Sequence, residues 1–270
     1  METNKLLSVK NEIIFNVSQK ILFDCQRKSI DVLLFGGASL LFLPGYEIDF
    51  ITENRGDIND IDLVVNPKDV ARLKYYLVVN GFKPDINFNF QHGNKRICYY
   101  REEDNLSIDV FIGDILLCQK IETIHRFRYD KLILAPMILF LTKIQKLKLS
   151  DKDIFDINLI LKHIDLCDFR FVIELCSKNW RWYKTIITNI FYLLKEKRIT
   201  DKKYAIVLED VADKILVSRK TICWNIRKFF GGQWYNDVEE RKNPDWNETN
   251  TTSDNYIRNK PVINNDNKTD

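Results

Sequence analysis

The segment Asp60-Ile-Asp62-Leu-Val-Val65 constrains the fold of this chain more than any other. Its apolar, largely β-branched residues read as a buried strand, yet two carboxylates stand one residue apart at its start. Side chains at i and i+2 of a strand share a face and lie roughly 6–7 Å apart along it. Two like charges aimed the same way repel each other unless a cation neutralises them. Mg²⁺ is the natural cation, since it prefers oxygen ligands and is held by one or two carboxylates together with substrate phosphates. The segment therefore predicts a strand in a sheet and, at its end, a metal-dependent phosphoryl- or nucleotidyl-transfer site.

Flanking segments supply what such a site lacks. Val32-Leu33-Leu34-Phe35 is a short apolar strand running into Gly36-Gly37-Ala38-Ser39 and then Leu40-Leu41-Phe42-Leu43. As strand, tight turn and helix start, this exposes backbone N–H groups where no Cβ blocks an approach, and a helix start favours anions. Gly36, Gly37 and the Ser39 hydroxyl are thus candidate phosphate-binding groups. Downstream, Leu106-Ser-Ile-Asp109-Val-Phe111 predicts another strand, with one carboxylate among apolar residues. A neighbouring strand would set Asp109 beside Asp60 and Asp62. Three carboxylates could then hold one or two divalent ions about 3.5–4 Å apart, activating an attacking oxygen and neutralising a leaving pyrophosphate. Singly, the pieces have plainer readings: an ordinary turn, a solvated loop edge, an edge-strand charge. Their order along the chain favours the site.

In that order the residues resemble the DNA polymerase β-like nucleotidyltransferase superfamily, whose pattern is a strand ending in Gly-Gly or Gly-Ser, an acidic-x-acidic strand and a third acidic strand. Gly36-Gly37-Ala38-Ser39, Asp60-Ile-Asp62-Leu-Val-Val65 and Gly81-Phe82 are similar to its small prokaryotic members, among them AbiE-type toxin enzymes. Residues 30–165 carry most of the match. The resemblance implies NTP and Mg²⁺ as ligands, with Asp60 and Asp62 as metal ligands and Asp109 completing the triad. It implies transfer of a nucleoside monophosphate to an acceptor: RNA, protein or a small molecule. A toxin-like role would add tRNA or protein modification and a protein antitoxin as partner. A binding module that keeps nucleotide or nucleic-acid affinity without turnover is the alternative of another class. One departure is plain. Pro44–Glu53 lengthens the connection between glycines and acidic pair, and Arg55 stands five positions before Asp60. Phosphate contact and a solvated loop arginine are both open for Arg55.

A second block matches the same group. Pro136 suits a first helical position, and apolar residues follow it on a helical period through Lys143 to Lys146. Ser150 or Asp151 then caps a helix containing Asp153 and Asp156. Lys143 is similar to the family lysine that contacts the triphosphate, although an apolar helix can also hold a lysine by snorkelling. For Asp153 and Asp156, catalysis and capping are both open.

The remaining pattern predicts an amphipathic helix over 6–28, with Leu7, Ile13, Ile14, Val17, Ile21, Leu22 and Cys25 near one face. A further helix runs from Pro67 to a stop at Gly81, and a hairpin around His92-Gly93-Asn94 spans 86–101. Helices are expected at 114–124, 136–148, 151–164, 168–177, 179–197, 201–217 and 219–229. The fold class is α/β of the α+β kind: a nucleotidyltransferase-type mixed sheet flanked by helices, then a helical part. The expected divisions are a catalytic domain at 1–125, a helical domain at 126–235 and a disordered tail at 236–270, where apolar residues nearly vanish. All five Trp lie between 180 and 246 among Lys and Arg. They could form a stacking platform for RNA, but Trp180 and Trp224 sit among apolar helical residues, which favours core packing.

Composition sets outer limits. A formal charge of +3 does not mark a nucleic-acid binder. Six cysteines without a Cys-x-x-Cys pair argue against zinc and a disulfide framework, and fit a reducing cytoplasm. His92, His125 and His163 are isolated. No apolar run long enough to span a bilayer occurs, so a membrane partner is not expected.

Overall fold

The structure, a computed structural model, describes residues 2–45, 47–121, 132–146 and 148–230, with side chains from residue 9 onward. By its contacts the chain divides into Met1–Asp237 and Val238–Asp270. The tail expected at 236–270 lies outside the described residues, as does the 125/126 boundary.

The architecture is mixed α+β. One sheet contains β1 (Val32–Phe35), β2 (Asp60–Val65), β3 (Lys83–Pro84), β4 (Arg96–Arg101) and β5 (Leu106–Ile112). Its spatial order is β1-β2-β5-β4-β3. Only the β2–β5 pair is parallel among these strands; the other neighbours are antiparallel. The residues after the undescribed stretch return to β1: Leu134 donates to the Leu34 carbonyl, and Leu34 to that of Leu132. Central β2 and β5 are almost wholly buried, as near-continuous Val, Ile and Leu runs require.

Helix α1 (Glu2–Arg27) packs Ile14, Ile21, Leu22 and Cys25 into the core on the expected face; the Leu7 side chain lies outside the described residues. Its buried Asn11 reaches across to the approach to β2, donating to Thr52 Oγ1 (2.8 Å) and accepting from the Ile58 N–H (2.9 Å). Those bonds tie α2 (Ile48–Arg55) and the entry to the acidic strand onto one helix. The lengthened connection after the glycines is therefore largely helix α2. α3 (Val70–Val79) follows a short 3-10 turn at Pro67–Asp69, within the span predicted.

Two stretches differ from expectation. Residues 86–92 form a helix, α4 (Ile86–His92), instead of one arm of a hairpin. The alternation of Ile86, Phe88 and Phe90 is no buried strand face, since Ile86 is 75% and Phe90 92% exposed. Asp85 caps the helix through the Phe88 N–H, and Asn89 bonds both the N–H and the carbonyl of Cys98, clamping α4 on β4. The hairpin is formed instead by β4 and β5. Residues 114–121, expected as a helix start, hold a small antiparallel pair, β6 (Ile115–Leu116) and β7 (Lys120–Ile121). The rest of that helix, 122–124, lies outside the described residues.

The helical half follows the predicted order: α5 (Pro136–Ile144), α6 (Asp151–Leu161), α7 (Phe169–Lys178), α8 (Trp180–Lys195), α9 (Lys202–Val217) and α10 (Ile222–Phe230). α6 starts with a full capping box between Ser150 and Asp153, worth about 1 kcal/mol. Trp224 is a core residue as expected, edge-on to Tyr183 at 5.1 Å, and so is Trp182, whereas Trp180 is only half-buried; Trp234 and Trp246 lie outside the described residues. None of the six cysteines forms a disulfide. Among the described residues no helix is long and apolar enough to cross a membrane.

Candidate active site

The geometry of the sheet assembles the acidic residues. Asp60 and Asp62 share a face of β2, and parallel pairing with β5 sets Asp109 directly beside Asp62. Ligand oxygens of Asp60, Asp62 and Asp109 all lie within 4.8 Å of one another. Asp109 is buried, whereas Asp60 and Asp62 retain an opening to solvent. Crowding has an electrostatic cost. Burial, then Asp109, raises the Asp60 carboxyl above its ordinary range. Burial raises Asp62 well above it, with further contributions from Asp60 and Asp109. Carboxylates held in this state are suited to a divalent cation, whose charge removes both penalties.

The glycine turn covers this trio. Gly36 has φ +69°, a left-handed conformation that favours glycine. A Cβ there would sit 1.9 Å from Asp62 Oδ2, so the turn can close over the carboxylate only without a side chain. A Cβ on Gly37 would sit 2.7 Å from Arg55 Nη2. Beyond the glycines the expected helix start is a short 3-10 helix, Ala38–Phe42. Ser39 is fully buried, and its hydroxyl donates to the Gly36 carbonyl (2.8 Å). In the structure it fixes the turn and does not face solvent.

Arg55, Lys143 and Asp156 form a second cluster against the same turn. Asp156 is fully buried and accepts from Arg55 Nε (2.6 Å), Arg55 Nη2 (3.2 Å) and Lys143 Nζ (2.7 Å). Arg55 is thus no solvated loop residue: it ends α2 with its guanidinium buried and fork-bonded. Lys143 does not snorkel freely either, being paired with Asp156. The positive charges of Lys143 and Arg55 still act on Asp60, holding its carboxyl lower than burial alone would leave it. Asp153 serves as capping residue and partner of Lys146 (2.8 Å). Asp153 thus caps α6, and Asp156 holds two cations.

Sequence reasoning missed Arg96 and Cys98. Arg96 Nη2 pairs with Asp109 Oδ2, and Cys98 Sγ lies 2.6 Å from Asp109 Oδ1. A signal existed. Pairing β4 and β5 as a hairpin sets Cys98 opposite Asp109, and Arg96, two residues away, on the same face. Misassigning the hairpin to 92–94 hid that register.

No family model matches the chain, and no curated protein does. A search of solved structures finds similarity to an antigenic nucleotidyltransferase-like protein from Paracoccidioides brasiliensis. Identity is 15%, coverage 79% of this chain and 94% of that one, and the TM-score 0.36. So loose a likeness carries no weight for function; the side-chain geometry does.

Proposed function

We propose that this chain is a metal-dependent nucleotidyltransferase that moves a nucleoside monophosphate from an NTP to an acceptor hydroxyl or phosphate. The observation that carries the reading is the convergence of Asp60, Asp62 and Asp109 within 4.8 Å beneath a side-chain-free turn. Three carboxylates with two of them raised in pKa fit a divalent cation, Mg²⁺ being the expected ion. Asp60 and Asp62 would hold it against the NTP phosphates, with Asp109 completing the set. When bound, the ion would neutralise charge on the phosphates and lower the pKa of an attacking oxygen. Gly36 and Gly37 give the phosphates close access to backbone, and Ser39 keeps that turn in shape. Lys143 and Arg55, anchored on Asp156, contribute positive potential toward the pyrophosphate that leaves. In the reaction the acceptor oxygen would bond to the α-phosphorus as the bond from that phosphorus to the α–β bridging oxygen breaks and pyrophosphate leaves, with Asp109 helping to activate the acceptor and taking its proton where the acceptor is a hydroxyl. The acceptor classes are RNA, protein or a small molecule; the alternative is a toxin-like, tRNA- or protein-modifying role in the cytoplasm with an antitoxin partner.

The test is direct. Purified chain is incubated with each α-labelled NTP, Mg²⁺, and either total RNA or a protein lysate fraction. Label should appear in one acceptor pool and fall by about a thousand-fold or more with Asp60→Asn. Equal labelling by wild type and Asp60→Asn, both folded by circular dichroism, would overturn the assignment.

A further inference from the structure

Arg96 is held unlike the other buried arginine near the site. Arg55 spends both Nε and Nη2 on Asp156. Arg96 gives only Nη2 to Asp109 among its described bonds, while its Nε is buried with no hydrogen-bond partner. Its guanidinium lies over two rings, 4.9 Å from the centroid of Phe111 and 5.5 Å from that of Phe88. The side chain is 18% exposed. A planar cation stacked on aromatic faces keeps that attraction whether or not its carboxylate stays. The contact with Asp109 is therefore the part of its environment that can be given up.

We propose that Arg96 is a counter-cation of the acidic trio that competes with a divalent ion for the Asp109 carboxylate. The inference rests on the trio being a metal site, as the proposed function requires. It adds a control: Arg96 sets how much metal is needed before the site fills. Three carboxylates this close repel one another, and one fixed positive charge at Asp109 relieves part of that repulsion. A divalent ion placed on the same carboxylates meets the arginine charge at close range, and its binding is weakened accordingly. Metal bound alone should therefore be weak, and tighter once a nucleotide brings further phosphate oxygens. Phe88 and Phe111 would hold the freed guanidinium beside the site, where it meets negative charge on the nucleotide or acceptor.

Mn²⁺ titration followed by electron paramagnetic resonance at pH 8 tests this without any turnover. Arg96→Gln should bind Mn²⁺ about tenfold more tightly than wild type, because the competing charge is gone. Arg96→Lys, which keeps the charge, should stay within about twofold of wild type. Asp60→Asn should bind far more weakly than either. Arg96→Gln binding no tighter than wild type overturns the counter-cation role while leaving the metal site standing. Absence of Mn²⁺ binding in both overturns the metal reading itself, and the role of Arg96 with it. If Arg96→Gln fails to fold, Arg96→Met keeps the stem against the two rings and carries the same expectation. Failure of both to fold would make Arg96 a structural strut and sink the proposal.

Discussion

Two charge clusters meet the Gly36-Gly37 turn, and they are built on opposite principles. Around Asp156, one fully buried carboxylate takes two cations and three charge-assisted hydrogen bonds. Around Asp62, three carboxylates crowd within 4.8 Å, and Arg96 pairs with Asp109 alone of the three. The first arrangement pairs its carboxylate with two cations; the second sets three carboxylates against one directly paired cation. Paired burial of charge marks a structural anchor. Unbalanced burial of like charge marks a place where stability has been given up for binding. One substitution, Asp→Asn, can therefore be used on both clusters, and its sign should differ between them.

The largest effect is expected at the anchor. Asp156→Asn would leave Arg55 and Lys143 as buried cations without their carboxylate, at a cost of about 3–5 kcal/mol. Urea denaturation should show that loss whether or not metal is present. A loss below about 1 kcal/mol would mean that water reaches the cluster and that the two cations are not fixed by Asp156. A somewhat smaller loss is expected at the shared turn. Gly36→Ala forces a Cβ onto Asp62 Oδ2 and strains a left-handed residue, together about 2–3 kcal/mol. Gly37→Ala pushes on the end of the Arg55 side chain instead, so its loss should mirror a disturbed anchor and leave Mn²⁺ affinity closer to wild type.

Legibility of these features in the sequence followed a physical divide. β1, β2 and β5 were readable because buried strands must be runs of apolar residues, and any carboxylate inside such a run stands out. Order and spacing were enough to anticipate that Asp109 meets Asp60 and Asp62. Segments whose form depends on tertiary contacts were not readable. The apolar alternation at 86–90 mimics a strand, yet its form is decided by the cap at Asp85 and the Asn89 bonds to Cys98. Ion pairs between distant segments were likewise hidden. Nothing local tells that Arg55 meets Asp156 across 101 residues. A tertiary pairing also decides that Ser39, an inviting hydroxyl in a glycine turn, faces inward to Gly36.

The smallest effect, and the most discriminating, is at Asp62. Its folded-state carboxyl is raised well above the ordinary value by burial and by its two acidic neighbours. The folded chain therefore binds that proton more tightly than the unfolded chain does. Stability from this group is fully present below the unfolded pKa, about 4. It is lost as pH rises through the folded value. Asp62→Asn removes the titration. In EDTA the variant and wild type should be nearly equal in stability below about pH 4, and the variant should gain steadily as pH rises toward neutrality. Saturating Mg²⁺ should close or reverse the gap, because the ion stabilises wild type and finds one carboxylate fewer in the variant. Thermal melts at several pH values, with and without Mg²⁺, would check each part. A variant that is destabilised throughout would make the trio an anchor like Asp156, and the contrast between the two clusters would disappear.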